Sequence, residues 1–218
     1  MWRASAKVYG SIFSTCTQRV LVTLEEAGAE YQLIDVSMQE GQHKDPTYVA
    51  EKHPFAKVPT YEDEYVKLFE SRAICRYLAK RYSQEADLLG SELGLALMEQ
   101  AASVEYSYFD PPFKGLAYEK IFKKMMGHGE PDAHLIKVYE EQIHQCFDYY
   151  ESLLAKQTYL AGNTYTIIDV FHLPWFAFLD KLGIGQEVET RPRLLAWWKL
   201  LASIAAGPSL TIELEYWC

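Results

Sequence analysis

The periodicity of apolar residues changes character part-way along this chain of 218 residues, and that change limits the folds open to it. At first, short strand-like runs alternate with stretches of helical period; later on every periodic stretch is helical. Ala6 to Tyr9 reads as a buried strand closed by Gly10-Ser11. From about Ser14 the positions Val20, Leu21, Leu24 and Ala27 recur at helical spacing until Gly28 stops the helix. Tyr31 to Val36 reads as a second strand, and a polar stretch with Gly41 and Pro46 leads to a short helix around Thr47 to Lys52. Two further runs, Val58 to Tyr61 and Tyr65 to Phe69, flank a turn at Glu62-Asp63-Glu64, and Ile74, Tyr77, Leu78 and Tyr82 mark one face of another helix. The order is β-α-β-α-β-β-α, in which the first two strands need a helical crossover and the last two a tight turn.

The polar residues from Ser83 to Leu93, with a turn at Leu88-Leu89-Gly90, suit a linker. The expected organisation is an α/β domain over 1–83, a linker over 84–93 and an all-helical domain over 94–218, an α+β chain overall. Leu95 to about Met126 forms one long helix or two divided near Asp110-Pro111-Pro112, because prolines remove amide donors and clash with the preceding turn. Leu135, Val138, Tyr139, Ile143, Phe147, Tyr150 and Leu154 keep the rhythm of a long amphipathic helix. Ile167 to Leu182 and Leu194 to Ala205 are the remaining helices. Thr166-Ile167-Ile168-Asp169 has the pattern of a capping box, in which a hydroxyl and a carboxylate each take up an orphaned amide; its role is folding.

Composition narrows the function. Asp and Glu number 30 against 21 Lys and Arg, a net charge of −9, and such a surface repels phosphate backbones and anionic lipid, so neither nucleic acid nor a membrane is expected as a partner. The start lacks the apolar stretch of a secretory signal and no window has the length of a membrane span, so the expected address is cytoplasmic. Cys16, Cys75, Cys146 and Cys218 are scattered, which suggests neither a disulfide framework nor a metal site.

Chemistry-bearing residues gather at the element boundaries of the first domain. Ser11 to Arg19 spans the first strand-to-helix turn, where α/β domains carry their sites, and offers hydroxyls and the Cys16 thiol; Arg19 stands where a Cys-x-x-Cys pair would need its second cysteine. Val58-Pro59 either starts a strand or carries a cis peptide bond, which would turn the Val58 amide and carbonyl toward a ligand's backbone. Glu70-Ser71 lies where a strand hands over to a helix: Ser71 either caps that helix or offers a hydroxyl and helix-start amides to an anion, with Glu70 beside it for an ammonium.

Together these segments resemble the glutathione transferases, most closely the phi class of plants and fungi. The resemblance rests on Lys7-Val8-Tyr9-Gly10, Thr17-Gln18-Arg19-Val20-Leu21, Gly41-Gln42-His43-Lys44, Pro54-Phe55-Ala56-Lys57-Val58-Pro59, Leu68-Phe69-Glu70-Ser71-Arg72-Ala73-Ile74, Arg76-Tyr77 and the capping box, in the family's order and approximate spacing. It implies a thioredoxin-like glutathione-binding domain, a helical domain supplying most of an electrophile pocket, and a homodimer active in detoxification without a metal.

By the same match Ser14 is the catalytic serine, its hydroxyl donating to the glutathione sulfur. His43 and Lys44 would face the glycine carboxylate, Val58 beside Pro59 would pair with the cysteinyl backbone, and Glu70 and Ser71 would hold the γ-glutamyl end. Lys57 stands where many members carry Gln, and Ala56 and His53 replace the usual Gly and Asn. Phe13, Tyr106, Phe109 and Phe113 are the candidates for an aromatic-lined electrophile pocket, with core packing as their other reading. The implied activity is conjugation of the glutathione thiolate to hydrophobic electrophiles. Reduction of organic hydroperoxides, a ligand-carrier role without turnover, and thiol transfer through Cys16 are the alternatives.

Overall fold

The protein is described from a computed structural model that covers residues 6–82, 88–89 and 92–205. These residues fall into two compact units, the second running from Gly90 to Ile204 and the first taking in the residues before it and Ala205. Much of the expected linker over 84–93, and Cys218, lie outside the described residues.

In the first unit β1 (Ala6–Gly10), α1 (Thr15–Glu26), β2 (Tyr31–Asp35), α2 (Pro46–Glu51), β3 (Thr60–Glu62), β4 (Lys67–Phe69) and α3 (Ser71–Tyr82) follow in the order read from the sequence. The strands form one sheet in the order β2-β1-β3-β4. β1 runs parallel to β2 and antiparallel to β3, and β3 is antiparallel to β4. Gly10 lies opposite Asp35, Tyr9 opposite Thr60, and Thr60 opposite Phe69. The ends of β1, β2 and β4 and the start of β3 therefore share one edge of the sheet. Val8, Val20, Leu24, Tyr61, Ile74 and Leu78 form a buried apolar core.

The β3–β4 turn closes on one carboxylate. Asp63 accepts the amides of Tyr65 (2.8 Å) and Val66 (2.9 Å) and the hydroxyls of Tyr61 (3.0 Å) and Tyr77 (2.7 Å), which fastens the hairpin to α3. Burial alone would raise the Asp63 pKa, but these hydrogen bonds outweigh it and hold the group below the ordinary carboxylate value.

The second unit is helical throughout its named elements. α4 (Glu92–Val104), α5 (Asp110–Ala117) and α6 (Lys123–Met125) form one run joined by two π turns, Glu105–Phe109 and Tyr118–Phe122. The proline pair does not break it. The Asp110 amide reaches back to the Glu105 carbonyl across the wider π spacing, and Pro111 and Pro112 then open α5, where missing donors cost least. Gly115 allows α7 (Ala133–Leu154) to approach: a Cβ there would stand 2.3 Å from the Tyr139 ring.

The single helix expected over 167–182 is in fact two, α8 (Ile167–Phe176) and α9 (Leu179–Leu182). Pro174 has no amide to give, and the Phe178 amide bonds the Trp175 carbonyl three residues back at 2.9 Å, tightening the chain out of α geometry. α10 (Gly185–Glu189), too short to show a period, and α11 (Pro192–Ala205) complete the unit. The capping box at Thr166 is present: the hydroxyl accepts from Ile168 at 3.3 Å and Asp169 accepts the Thr166 amide at 3.0 Å. Burial pushes Asp169 up to about 6, against the hydrogen bonds it accepts from Thr166, Leu160 and Trp197.

Candidate functional site

The shared sheet edge of the first unit gathers the residues singled out by the sequence, each delivered by a different loop. Gly10 ends β1 because nothing larger fits: a Cβ would come within 2.5 Å of the Thr17 hydroxyl in the first turn of α1. The loop after it is held from inside, with the Gln18 side-chain Nε2 donating to the Ile12 carbonyl at 2.9 Å and the Ser14 backbone amide to the Ser11 carbonyl at 2.9 Å. Ser14 caps α1 in extended backbone geometry, its hydroxyl accepting the Thr17 amide at 3.3 Å. The side chain is half-buried, and Phe13 beside it is 54% exposed. Cys16 is half-buried in the same first helical turn.

Val58-Pro59 carries a cis peptide bond, and Val58 stands just before the first ladder pair of β3, Tyr9 with Thr60. Two residues upstream Ala56 has φ 53°, the left-handed conformation that glycine takes most readily. Glu70, between β4 and α3, has φ 70°, and its exposed side chain is followed by a nearly buried Ser71. After β2, Gly41 at φ 73° turns the chain into the short 3-10 turn Gln42–Lys44 that carries His43 and Lys44.

Burial and neighbouring charges set the state of the two histidines in these loops. His43 is held below its ordinary value by burial first and then by the cations of its neighbour Lys44 and of Lys57, which stands in a different loop of the sequence. Its Nδ1 is buried with no hydrogen-bond partner. His53 is also held low, chiefly by burial, with Glu70 opposing and Lys57 adding to the shift. Its Nδ1 accepts the Phe55 amide at 3.3 Å and its ring lies 4.9 Å from that of Phe69.

Two of the four aromatic candidates are committed to packing. Phe109 and Phe113 are fully buried in the helical unit, 4.4 Å apart, the former also 4.4 Å from the His172 ring and the latter 5.7 Å from Trp175. Tyr106, in the first π turn, is 63% exposed. Arg19 carries no motif that marks it as a site residue. It is fully buried in α1 and donates from Nη1 to the Ser71 hydroxyl at 2.9 Å. The available signal was a lone charge beside the apolar face marked by Val20, Leu21 and Leu24.

Residues 4–80 match the family described as the N-terminal domain of glutathione S-transferase, and residues 100–204 match its C-terminal domain. The chain belongs to the glutathione S-transferase family. Within it the plant relatives and the poplar structures are of the phi class. Glutathione S-transferase PM239X14 of Arabidopsis thaliana is 42% identical over 93% of this chain and 94% of its own. Glutathione S-transferase hmp2 of the fungus Hypomyces subiculosus is 37% identical over 95% of this chain and 98% of its own. Among solved structures, glutathione transferase F2 from Populus trichocarpa superposes with a TM-score of 0.87 at 35% identity, covering 97% of this chain and 98% of that one. Glutathione S-transferase I from maize, in complex with an atrazine glutathione conjugate, gives a TM-score of 0.85 at 27% identity over 97% and 96% of the two chains. This glutathione S-transferase keeps the thioredoxin-like sheet and helical second domain of the family.

Proposed function

We propose that the chain transfers the thiolate of glutathione to hydrophobic electrophiles, with Ser14 as the catalytic residue. One observation carries this reading: the Ser14 hydroxyl caps α1 as an acceptor, from Thr17 at 3.3 Å, and so keeps its own proton to donate. A thiol of pKa about 8.5 is only about 3% ionised at pH 7. A hydrogen bond from Ser14 and the positive end of the helix α1 favour the charged sulfur, and lowering its pKa by about two units, about 2.7 kcal/mol, makes thiolate the majority form. Proximity of a bound electrophile then does most of the rest.

In this reading His43 and Lys44, with Lys57 as an added cation, face the glycine carboxylate, and the orphaned Nδ1 of His43 suits a ligand contact. Val58, before Pro59, pairs backbone to backbone with the cysteinyl unit, and Glu70 and Ser71 take the γ-glutamyl end. Phe13 and Tyr106, whose rings remain exposed, are proposed for the apolar second substrate; Phe109 and Phe113 serve the core. The maize relative solved with an atrazine glutathione conjugate supports this substrate class. The reading includes a cytoplasmic homodimer; exposed Phe55 and Phe69, ring centroids 6.2 Å apart, offer an apolar face for a second copy, and light scattering tests the dimer.

The test is conjugation of glutathione to a generic aromatic halide as a function of pH, for the protein and for Ser14→Ala. The expected result is loss of most activity, with the apparent pKa of the remainder rising toward that of the free thiol. Full activity in the variant overturns the assignment of Ser14. Binding of glutathione without turnover by either protein favours the carrier or, where hydroperoxides are consumed, the peroxidase.

A further inference from the structure

We infer that Arg19 is a positioning residue for the γ-glutamyl end of glutathione, its buried guanidinium fixing the Ser71 hydroxyl as a donor toward the ligand's α-carboxylate. The inference deepens the proposed function and rests on its reading of the site. Arg19 has no exposed surface, and its Nη1 lies 2.9 Å from the Ser71 oxygen across the packed faces of α1 and α3. A guanidinium has donors only, so in this contact the hydroxyl must accept. Ser71 therefore turns its single proton away from Arg19.

Ser71 is the first residue of α3, with the helix-start amides beside it and the left-handed Glu70 before it. An acceptor taking the Ser71 proton there is an anion at a helix start, and the carboxylate of an amino-acid terminus has that chemistry. The backbone of Arg19 is held as firmly as its side chain. Its carbonyl accepts the Thr23 hydroxyl at 2.9 Å and the Cys75 thiol of α3 at 3.5 Å. Ser14 caps the same helix, α1, so one rigid element sets both the donor for the sulfur and, through Arg19, the donor for the carboxylate. A lysine at position 19 would bring a point charge without the planar fork that aims the contact.

The experiment measures steady-state conjugation with two thiols: glutathione, and N-acetylcysteinylglycine, which lacks the α-amine and α-carboxylate of the γ-glutamyl unit. Arg19→Lys and Ser71→Ala are each expected to raise KM for glutathione about tenfold, the scale of one charge-assisted hydrogen bond, with kcat within about twofold. KM for the truncated thiol stays unchanged, and the double variant is no worse than either single one. An equal rise for both thiols, or fully additive effects, shows a merely structural Arg19 and overturns the inference. Should Arg19→Lys fail to fold, Ser71→Ala still decides: an unchanged glutathione KM overturns it. Calorimetry on the unaltered protein separates the two levels, because absence of glutathione binding removes the proposed function as well, whereas binding that the variants share removes only the role of Arg19.

Discussion

Asp169 accepts the indole N–H of Trp197 at 3.0 Å, which ties the start of α8 to the middle of α11. The same oxygen accepts the Leu160 amide at 3.2 Å, and the other serves Thr166. Removal of the carboxylate leaves several buried donors without acceptors. Asp169→Ala is expected to cost about 3–5 kcal/mol, the range for breaking a buried charged network. Urea unfolding followed by tryptophan fluorescence measures it; a loss below about 1 kcal/mol would show that the box is dispensable.

Ala56 occupies a left-handed backbone conformation, at φ 53°, where its Cβ is unwelcome. Ala56→Gly relieves a local cost of about 1–2 kcal/mol and returns part of it as unfolded-chain entropy, so a net gain of about 0.5–1 kcal/mol is expected. A β-branched residue there, as in Ala56→Val, lowers stability instead. Thermal midpoints of the three proteins at one pH decide the order.

Asp63 lies below the ordinary carboxylate pKa in the folded protein, so the unfolded chain binds its proton more readily. Its contribution is complete above the unfolded value, about pH 4, and is lost as pH falls through the folded value. Asp63→Asn should therefore be less stable than the parent at pH 7, and the difference should shrink as the pH is taken from 5 toward 2. A gap that is constant with pH would mean the carboxylate's charge contributes nothing.

Cys16 sits in the first turn of α1, two residues after Ser14. If the conjugation chemistry belongs to the Ser14 hydroxyl, Cys16→Ala keeps at least half of the conjugating activity and gains no thiol-transfer activity. Abolished turnover in that variant would return the mechanism to a cysteine.

Much of the architecture was legible because period and punctuation agreed. Gly10, Gly28 and the Glu62-Asp63-Glu64 turn bound elements whose apolar faces follow one rhythm, and the capping residues of α8 signal their own geometry. The division after Phe176 was hidden because the apolar residues run on past Pro174, a helix hydrophobic all round having no face to lose. At the site, the loops that carry Ser14, Val58 and Glu70 could be read, since special backbone demands leave proline and boundary residues in the chain. The contact of Arg19 with Ser71 could not, because residues 52 apart meet only through the packing of α1 on α3. Nor could the burial of Phe109 and Phe113, since an aromatic side chain on a helix looks the same whether it lines a cavity or fills it.

The π turns Glu105–Phe109 and Tyr118–Phe122 act as phase shifters on the rod that runs from α4 to α6. Each takes in one residue more than an α turn, and one residue is worth about 100° of rotation about the helix axis. Deleting one residue from either turn would restore plain α geometry there and leave the side chains beyond it in phase, because five residues of π geometry turn the chain about as far as four of α. A deletion in an α segment of the rod would instead swing everything beyond it by that angle. In α4 such a deletion would bring exposed positions such as Pro111 and Lys114 round toward the core. The rod therefore tolerates a lost residue at its π turns and resists one elsewhere.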